Sequence, residues 1–192
     1  MTEWERARES RTLKIKSISR LIPGYDYSGE ESAHRTDDEF CRVMIENMRL
    51  AKGDMFNVLN TAFELHKDLL LKDFEAVRDE IDVFSDEIKA RVFSWDRTKS
   101  RKWLGMLVDR DYRILNSVNT LLKDIKALHK DLLSSTKRVE DMKVLDSKTA
   151  NLKKALDDII FMYKEREAIC NIRDASIQED FEEIQSEIRK GF

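Results

Sequence analysis

Two tryptophans bracket a basic stretch, Trp95-Asp96-Arg97-Thr98-Lys99-Ser100-Arg101-Lys102-Trp103, with four cations in nine residues. Arg97, Lys99, Arg101 and Lys102 are suited to gripping phosphates. Trp95 and Trp103 could stack on bases or sit at an anionic membrane surface. The structural alternative has both indoles capping a bundle core while the cations solvate a turn. Charge bookkeeping favours the structural use. Residues 97–138 hold eleven basic and four acidic side chains, and residues 64–96 hold five basic and ten acidic. Neighbouring antiparallel helices of opposite sign neutralise each other, so little field is left over for a nucleic acid or a membrane.

Asp82, Asp86, Asp109 and Asp111 form a second constellation. A reversal near residues 97–98 pairs positions whose numbers sum to about 195, which puts Asp111 level with Phe84 and within a turn of Asp82 and Asp86. Several carboxylate oxygens at one level can hold a hard cation between helices. Asp111 also falls on an apolar stripe, where an unpaired carboxylate is costly. Pairing with Arg110, Arg113 or Lys89 is the alternative to a metal. The same register sets His66 opposite His129, a pH-sensitive contact or half a metal site. Neither histidine has a second at i+4, and His34 stands alone in a linker. No nucleophile elbow, phosphate loop, dinucleotide fingerprint or His/Cys pairing occurs. The expectation is therefore a protein that is not an enzyme and carries no cofactor.

The elements that would position these groups are helices. No proline occurs from Thr36 to Lys190, and the glycines there are Gly53 and Gly105. Both residue types are expelled where long helices must persist. Charged residues make up 38% of the chain and aromatics 8%, a composition that matches amphipathic helices folded on one another.

Thr2-Glu3-Trp4-Glu5 has capping-box form and opens a short basic helix that Pro23-Gly24 ends. The polar segment from Tyr25 to Arg35 reads as a linker. Thr36-Asp37-Asp38-Glu39 is a second capping box, and it predicts a long helix running to about Phe93. Phe56, Leu59, Phe63, His66, Leu70, Phe74, Val77, Ile81, Phe84 and Ile88 supply a three-and-four-spaced stripe with one stutter at Phe74. Ser94 to Ser100 is the first reversal. Leu107, Asp111, Ile114, Val118, Leu121, Ile125, Leu128 and Leu132 mark the next helix, and Ser134-Ser135-Thr136 a second reversal. Met142, Leu145, Thr149, Leu152, Leu156, Ile159, Tyr163, Arg166 and Cys170 mark a third stripe.

These readings predict an all-α fold: an elongated antiparallel three-helix bundle, or coiled coil, over residues 56–172. Short N- and C-terminal helices dock on the overhanging start of the long helix. Residues 1–35 form an N-terminal helix and loop, and residues 36–192 form one bundle domain.

The final helix opens at Ser176 and carries Ile177, Phe181, Ile184 and Ile188 in heptad spacing. Six acids stand between Asp174 and Glu187 with no base among them. Such a strip must be covered. The intramolecular candidate is the methionine side of the long helix, Met44, Met48 and Met55. The alternative is helix-in-groove binding to a second copy or another protein.

A net charge of −3 forces association with neither nucleic acid nor membrane. Cys41 and Cys170 are too few and too far apart for a disulfide scaffold and read as idle thiols in a reducing compartment. The opening MTEWERARES lacks an apolar signal core, and no apolar run approaches the ~20 residues needed to cross a bilayer. A cytoplasmic location is expected.

The run Leu21-Ile22-Pro23-Gly24-Tyr25, followed by Tyr27, Glu31, Arg35, Asp38 and Arg42, resembles a signature of uncharacterised prokaryotic helical proteins. In these a short basic helix leads through a PGYxxY turn into a long helix. The likeness covers residues 13–42, and His34 stands where a second arginine is usual. It implies Tyr25 and Tyr27 packed against the start of the long helix, with Arg35 and Arg42 pairing Glu31, Asp38 or Glu39. A looser likeness to PhoU-type metal-binding bundles rests on Asp82-x-x-x-Asp86 and Asp109-x-Asp111 and lacks the fuller motif.

The expected function is a helical interaction or assembly module, a scaffold or adaptor that can homodimerise. Ile177, Phe181, Ile184, Ile188, Tyr25 and Tyr27 are its partner-binding residues. Anion binding through the tryptophan-flanked turn and PhoU-like metal binding are the alternatives.

Overall fold

The computed structural model describes residues 3–93, 101–136 and 138–171. Among them every regular element is an α-helix: α1 (Glu3–Ile18), α2 (Glu30–Glu64), α3 (Asp68–Ala90), α4 (Arg101–Ser134) and α5 (Val139–Asn171). The all-α expectation holds.

The predicted long helix does not. It is split between Glu64 and Asp68, and His66 adopts a left-handed φ of 53°. Lys67 N–H donates to the Ala62 carbonyl at 2.9 Å, and His66 N–H to the Phe63 carbonyl at 3.1 Å. This pair of bonds is a Schellman termination, with histidine in the place glycine usually takes. Lys52 Nζ on α2 lies 2.6 Å from Asp82 on α3, so the chain doubles back at this turn. The expected single rod is thus a helical hairpin. Four helical segments stand where three were expected.

α2 also begins earlier than Thr36. Gly29 N–H donates to Ser32 Oγ at 3.1 Å, and Glu30 and Glu31 occupy the first turn, where the helix dipole favours acids. Thr36 sits inside the helix. Its hydroxyl donates to the Asp26 carbonyl at 2.8 Å and accepts from Asp26 N–H at 3.0 Å, pinning the preceding loop to α2.

Packing divides the described residues into two units. One draws on residues up to Val43, from Arg91 to Asn116 and from Ile160 onward; the other is Met44–Ala90 with Ser117–Ile159.

In the second unit, α2 buries Met44, Met48, Ala51, Met55, Val58 and Ala62, each 0% exposed. Their spacing of four and three is a heptad face, and it is not the predicted one, because Phe56 and Phe63 are 54% and 70% exposed. On α3 the stripe from Leu70 to Ile88 is buried as expected, and so are Val118 to Leu132 on α4 and Leu145 to Ile159 on α5. Thr61 contacts His129 and Asp54 pairs with Lys126, so α2 and α4 run in the same direction. Lys148 pairs with Asp131 across the α4–α5 turn, so α5 runs opposite to α4. The four segments alternate in direction within this unit.

In the first unit, the end of α1 and the loop after it close over α2, α4 and α5. Ile18, Ile22, Tyr25 and Tyr27 join Phe40, Trp103, Leu107, Ile114 and Tyr163 in the core. Gly24 supplies the one positive-φ glycine of the loop, at 77°. α1 lies against α4 through Lys14 and Asp109, which form an ion pair. Arg11 lies across Gly105, where a Cβ would come 2.5 Å from its terminal nitrogen.

Candidate functional site

Asp111 lies on the buried stripe of α4 at 0% exposure, and Arg166 on the facing stripe of α5 at 1%. Arg166 Nε donates to Asp111 Oδ1 at 2.5 Å, its Nη1 pairs with Asp37 Oδ1 at 2.7 Å, and its Nη2 donates to the Tyr27 hydroxyl at 3.0 Å. The guanidinium carbon stands 4.0 Å over the Phe40 ring. Tyr25 donates its hydroxyl to Asp111 Oδ2 at 2.7 Å. From the other side Arg91 donates to Asp37 Oδ2 at 2.9 Å and to Asp38 Oδ1 at 2.7 Å. Two buried aspartates thus meet two arginines, and the charge closes on itself. Arg110 and Glu165 pair at 2.6 Å in the same unit.

Burial pushes the Asp111 carboxyl upward, while Arg166 and the Tyr25 hydroxyl pull it back down. Burial also works against the Arg166 charge, yet Asp111, Tyr27, Cys170 and Asp37 hold the guanidinium protonated well above its ordinary range. Desolvation keeps Tyr25 and Tyr27 protonated too. Cys41 Sγ lies 3.6 Å from the Tyr163 hydroxyl, and burial pushes its thiol up to about 11. Arg166, the two tyrosines and Cys41 hold their protons and are turned inward. The network ties the loop after α1 to α2, α4 and α5; it offers neither a free base nor an activated nucleophile.

Tyr25 and Tyr27, expected to meet a partner, are 8% and 5% exposed and spend their hydroxyls on Asp111 and Arg166. Tyr27 meets the Trp103 ring edge-on with centroids 6.0 Å apart, and Arg42 pairs with Glu39 on the surface of α2. Ile177, Phe181, Ile184 and Ile188 lie outside the described residues, as do Trp95, Arg97 and Lys99. Arg101 and Lys102 belong to the first turn of α4. Trp103 is 2% exposed and donates its indole N–H to the Ile169 carbonyl at 2.5 Å, so it cannot stack on a base.

The four aspartates are not gathered. Asp82 pairs with Lys52 and Asp86 with Lys89 in one unit. In the other, Asp109 pairs with Lys14 and Arg113, and Asp111 with Arg166. Among the described residues no three His, Cys, Asp or Glu side chains stand together in a way that could hold a metal ion. His66 is exposed in the α2–α3 turn, and His129 meets Thr61 at 2.9 Å in its stead. That pairing failed because its register assumed one unbroken helix through residue 66. Both cysteines are buried.

The second unit carries the surface that the sequence reading missed. Phe63 and Leu69 flank the α2–α3 turn at 70% and 85% exposure, and Leu133 and Val139 flank the α4–α5 turn at 62% and 65%. Lys67 Nζ donates to the Thr136 carbonyl and ties the two turns together. Four exposed large apolar side chains therefore flank two linked turns at one end of this unit. Among the described residues no helix is long and apolar enough to cross a membrane. No family model, curated protein or solved structure matches this chain.

Proposed function

We propose that this chain is a non-enzymatic helical assembly module that binds a protein partner through the apolar end of its second unit. The observation that carries this reading is the exposure of Phe63, Leu69, Leu133 and Val139 on either side of two linked turns. Single exposed hydrophobics are ordinary, but several contiguous ones are unfavourable in water and mark a surface that another molecule covers. Phe56, a further 54% exposed, lies two turns along α2 from Phe63 and extends the surface as a helix-face stripe. The non-enzymatic part rests on the interior polar groups, which are paired with one another and held in their unreactive protonation states.

Two alternatives read from the sequence draw less support. An anion site between Trp95 and Trp103 loses one of its stacking faces, because the Trp103 indole is committed to Ile169. A PhoU-like metal site loses its ligands, because each of its aspartates already has a cation.

The test is a pair of surface variants, Phe63→Asp and Leu133→Asp, compared with the parent by sedimentation over a wide concentration range and by cross-linked capture from cell extract. Loss of self-association, or of a specific captured protein, with the thermal midpoint unchanged supports the reading. A parent that stays monomeric and captures the same proteins as both variants overturns it.

A further inference from the structure

The first unit holds α1 unevenly along its length. From Ile18 onward the chain belongs to the core: Ile18 and Ile22 are each 1% exposed, and Tyr25 and Tyr27 commit their hydroxyls to Asp111 and Arg166. From Glu9 to Ser17 no residue is buried, and Leu13 is 61% exposed. The fixed end and the loosely seated stretch are thus consecutive parts of one short segment.

The seat of α1 on α4 is polar and open. Gly105, Val108, Asp109 and Tyr112 follow the three-and-four spacing of one α4 face and line the seam with α1. Lys14 pairs with Asp109, and Arg11 lies across Gly105, where the missing side chain leaves room for it. Two adjoining clefts of about 450 and 430 Å³ run along this seam and share Ser10 and Lys14, so the two helices do not interdigitate there. The side chains of Lys14 and Asp109 are 29% and 28% exposed, and Asp109 holds Arg113 as well. Separation therefore returns Lys14 to water and leaves Asp109 with a cation. Partly exposed ion pairs contribute little and weaken with salt. A helix of 16 residues is marginal in water without tertiary support, so an α1 that leaves α4 also melts.

We propose that residues 3–17 form a releasable arm, which leaves α4 and melts as one unit while Ile18 and the loop behind it stay seated. The buried hydrogen bonds of Tyr25 and Tyr27 stop the opening from spreading into the core, and ionic strength sets how often the arm is off. Release opens the Gly105–Tyr112 side of α4 to water, with Val108, 1% exposed while the arm is on. The arm belongs to the first unit and the partner surface proposed above to the second, so either reading can fail without the other.

Hydrogen exchange of the full chain, followed peptide by peptide at about 0.05 M and about 1 M sodium chloride, tests this. The amides of α1 up to Ser17 should exchange together, at least about tenfold faster than those from Leu107 to Leu115 on α4. Raising the salt should speed the α1 set several-fold and leave the α4 set unchanged. Lys14→Glu, which sets like charges against Asp109, should do the same at low salt with the thermal midpoint kept. Val108→Cys supplies a second measurement, because both native cysteines are buried. Its thiol should label faster in high salt, and faster again when combined with Lys14→Glu. Protection of α1 equal to that of α4, indifference of α1 to both salt and Lys14→Glu, or an equal acceleration of α1 and α4 overturns the proposal.

Discussion

Arg166 and Asp111 face each other across α4 and α5 with Nε to Oδ1 at 2.5 Å, and neither side chain reaches water. Each sits on an apolar stripe where a lone charge would be prohibitively desolvated, so each is tolerated because of the other. Replacing Asp111 by alanine leaves the guanidinium only Asp37 as a buried counter-charge and should cost up to about 3–5 kcal/mol of unfolding free energy. The double variant Asp111→Leu/Arg166→Met should cost much less than the sum of the two single changes, since Arg91 still holds Asp37. Urea denaturation of the three variants measures this; additive losses would contradict the pairing.

Tyr25 hydrogen-bonds a buried charge, so Tyr25→Phe should lose about 1.5–3 kcal/mol while keeping the ring packed. Because that bond fastens the loop after α1, amide exchange should accelerate most between Leu21 and Tyr27. Exchange that speeds up uniformly over the chain would count against this role.

His66 occupies the left-handed corner of the α2–α3 turn at φ 53°. His66→Gly relieves that conformation and should raise stability by about 1 kcal/mol, provided the turn is formed as described. In an unbroken helix the same change would lower stability by about as much. The sign of the shift in melting temperature therefore discriminates between hairpin and rod.

Glu80 on α3 stands against Asp157 on α5, and burial, a hydrogen bond with Asp157 and its charge push the Glu80 carboxyl up to about 7 against the pull of Lys153. In the unfolded chain the group ionises near 4.5, so between those values the folded state binds more protons. Its contribution is complete below about 4.5 and is lost as pH rises through about 7. The side chain is partly exposed, and solvent screening keeps the effect on the order of 1 kcal/mol. Glu80→Gln should flatten the fall in melting temperature over this window and leave the acid side unchanged.

Cys41 and Cys170 are both buried, and the Cys41 thiol is pushed up to about 11. At pH 8 the Cys41 thiolate fraction is then about a hundredfold below that of a free cysteine. A thiol reagent should titrate none in the native protein and both in denaturant. Rapid native labelling of either would overturn the burial.

Much of this was legible before folding, and the misses have physical causes. The stripes on α3, α4 and α5 are buried nearly residue for residue, because one spacing of bulky side chains dominates each segment. α2 misled because it has two candidate faces. Phe56 and Phe63 outweigh Ala51 and Ala62 in bulk, yet the smaller residues and the methionines let neighbouring helices approach closely. The α2–α3 turn carries no glycine or proline, so no local signal announced it. Asp111 and Arg166 were each visible as a charge on an apolar stripe, a mismatch that already asked for a partner. Asp37, placed at a helix start by its capping-box context, gave no sign that it would complete the cluster.

Helix content, the apolar registers of three helices and the burial of the charged stripe positions followed from local chemistry, because periodicity and the expulsion of proline act within a few turns. Which face of α2 turned inward, where the long segment doubled back and which charges met depended on contacts between residues far apart in sequence. Those choices belong to tertiary packing, since only the assembled core sets the desolvation cost that a buried arginine and its aspartates must jointly offset.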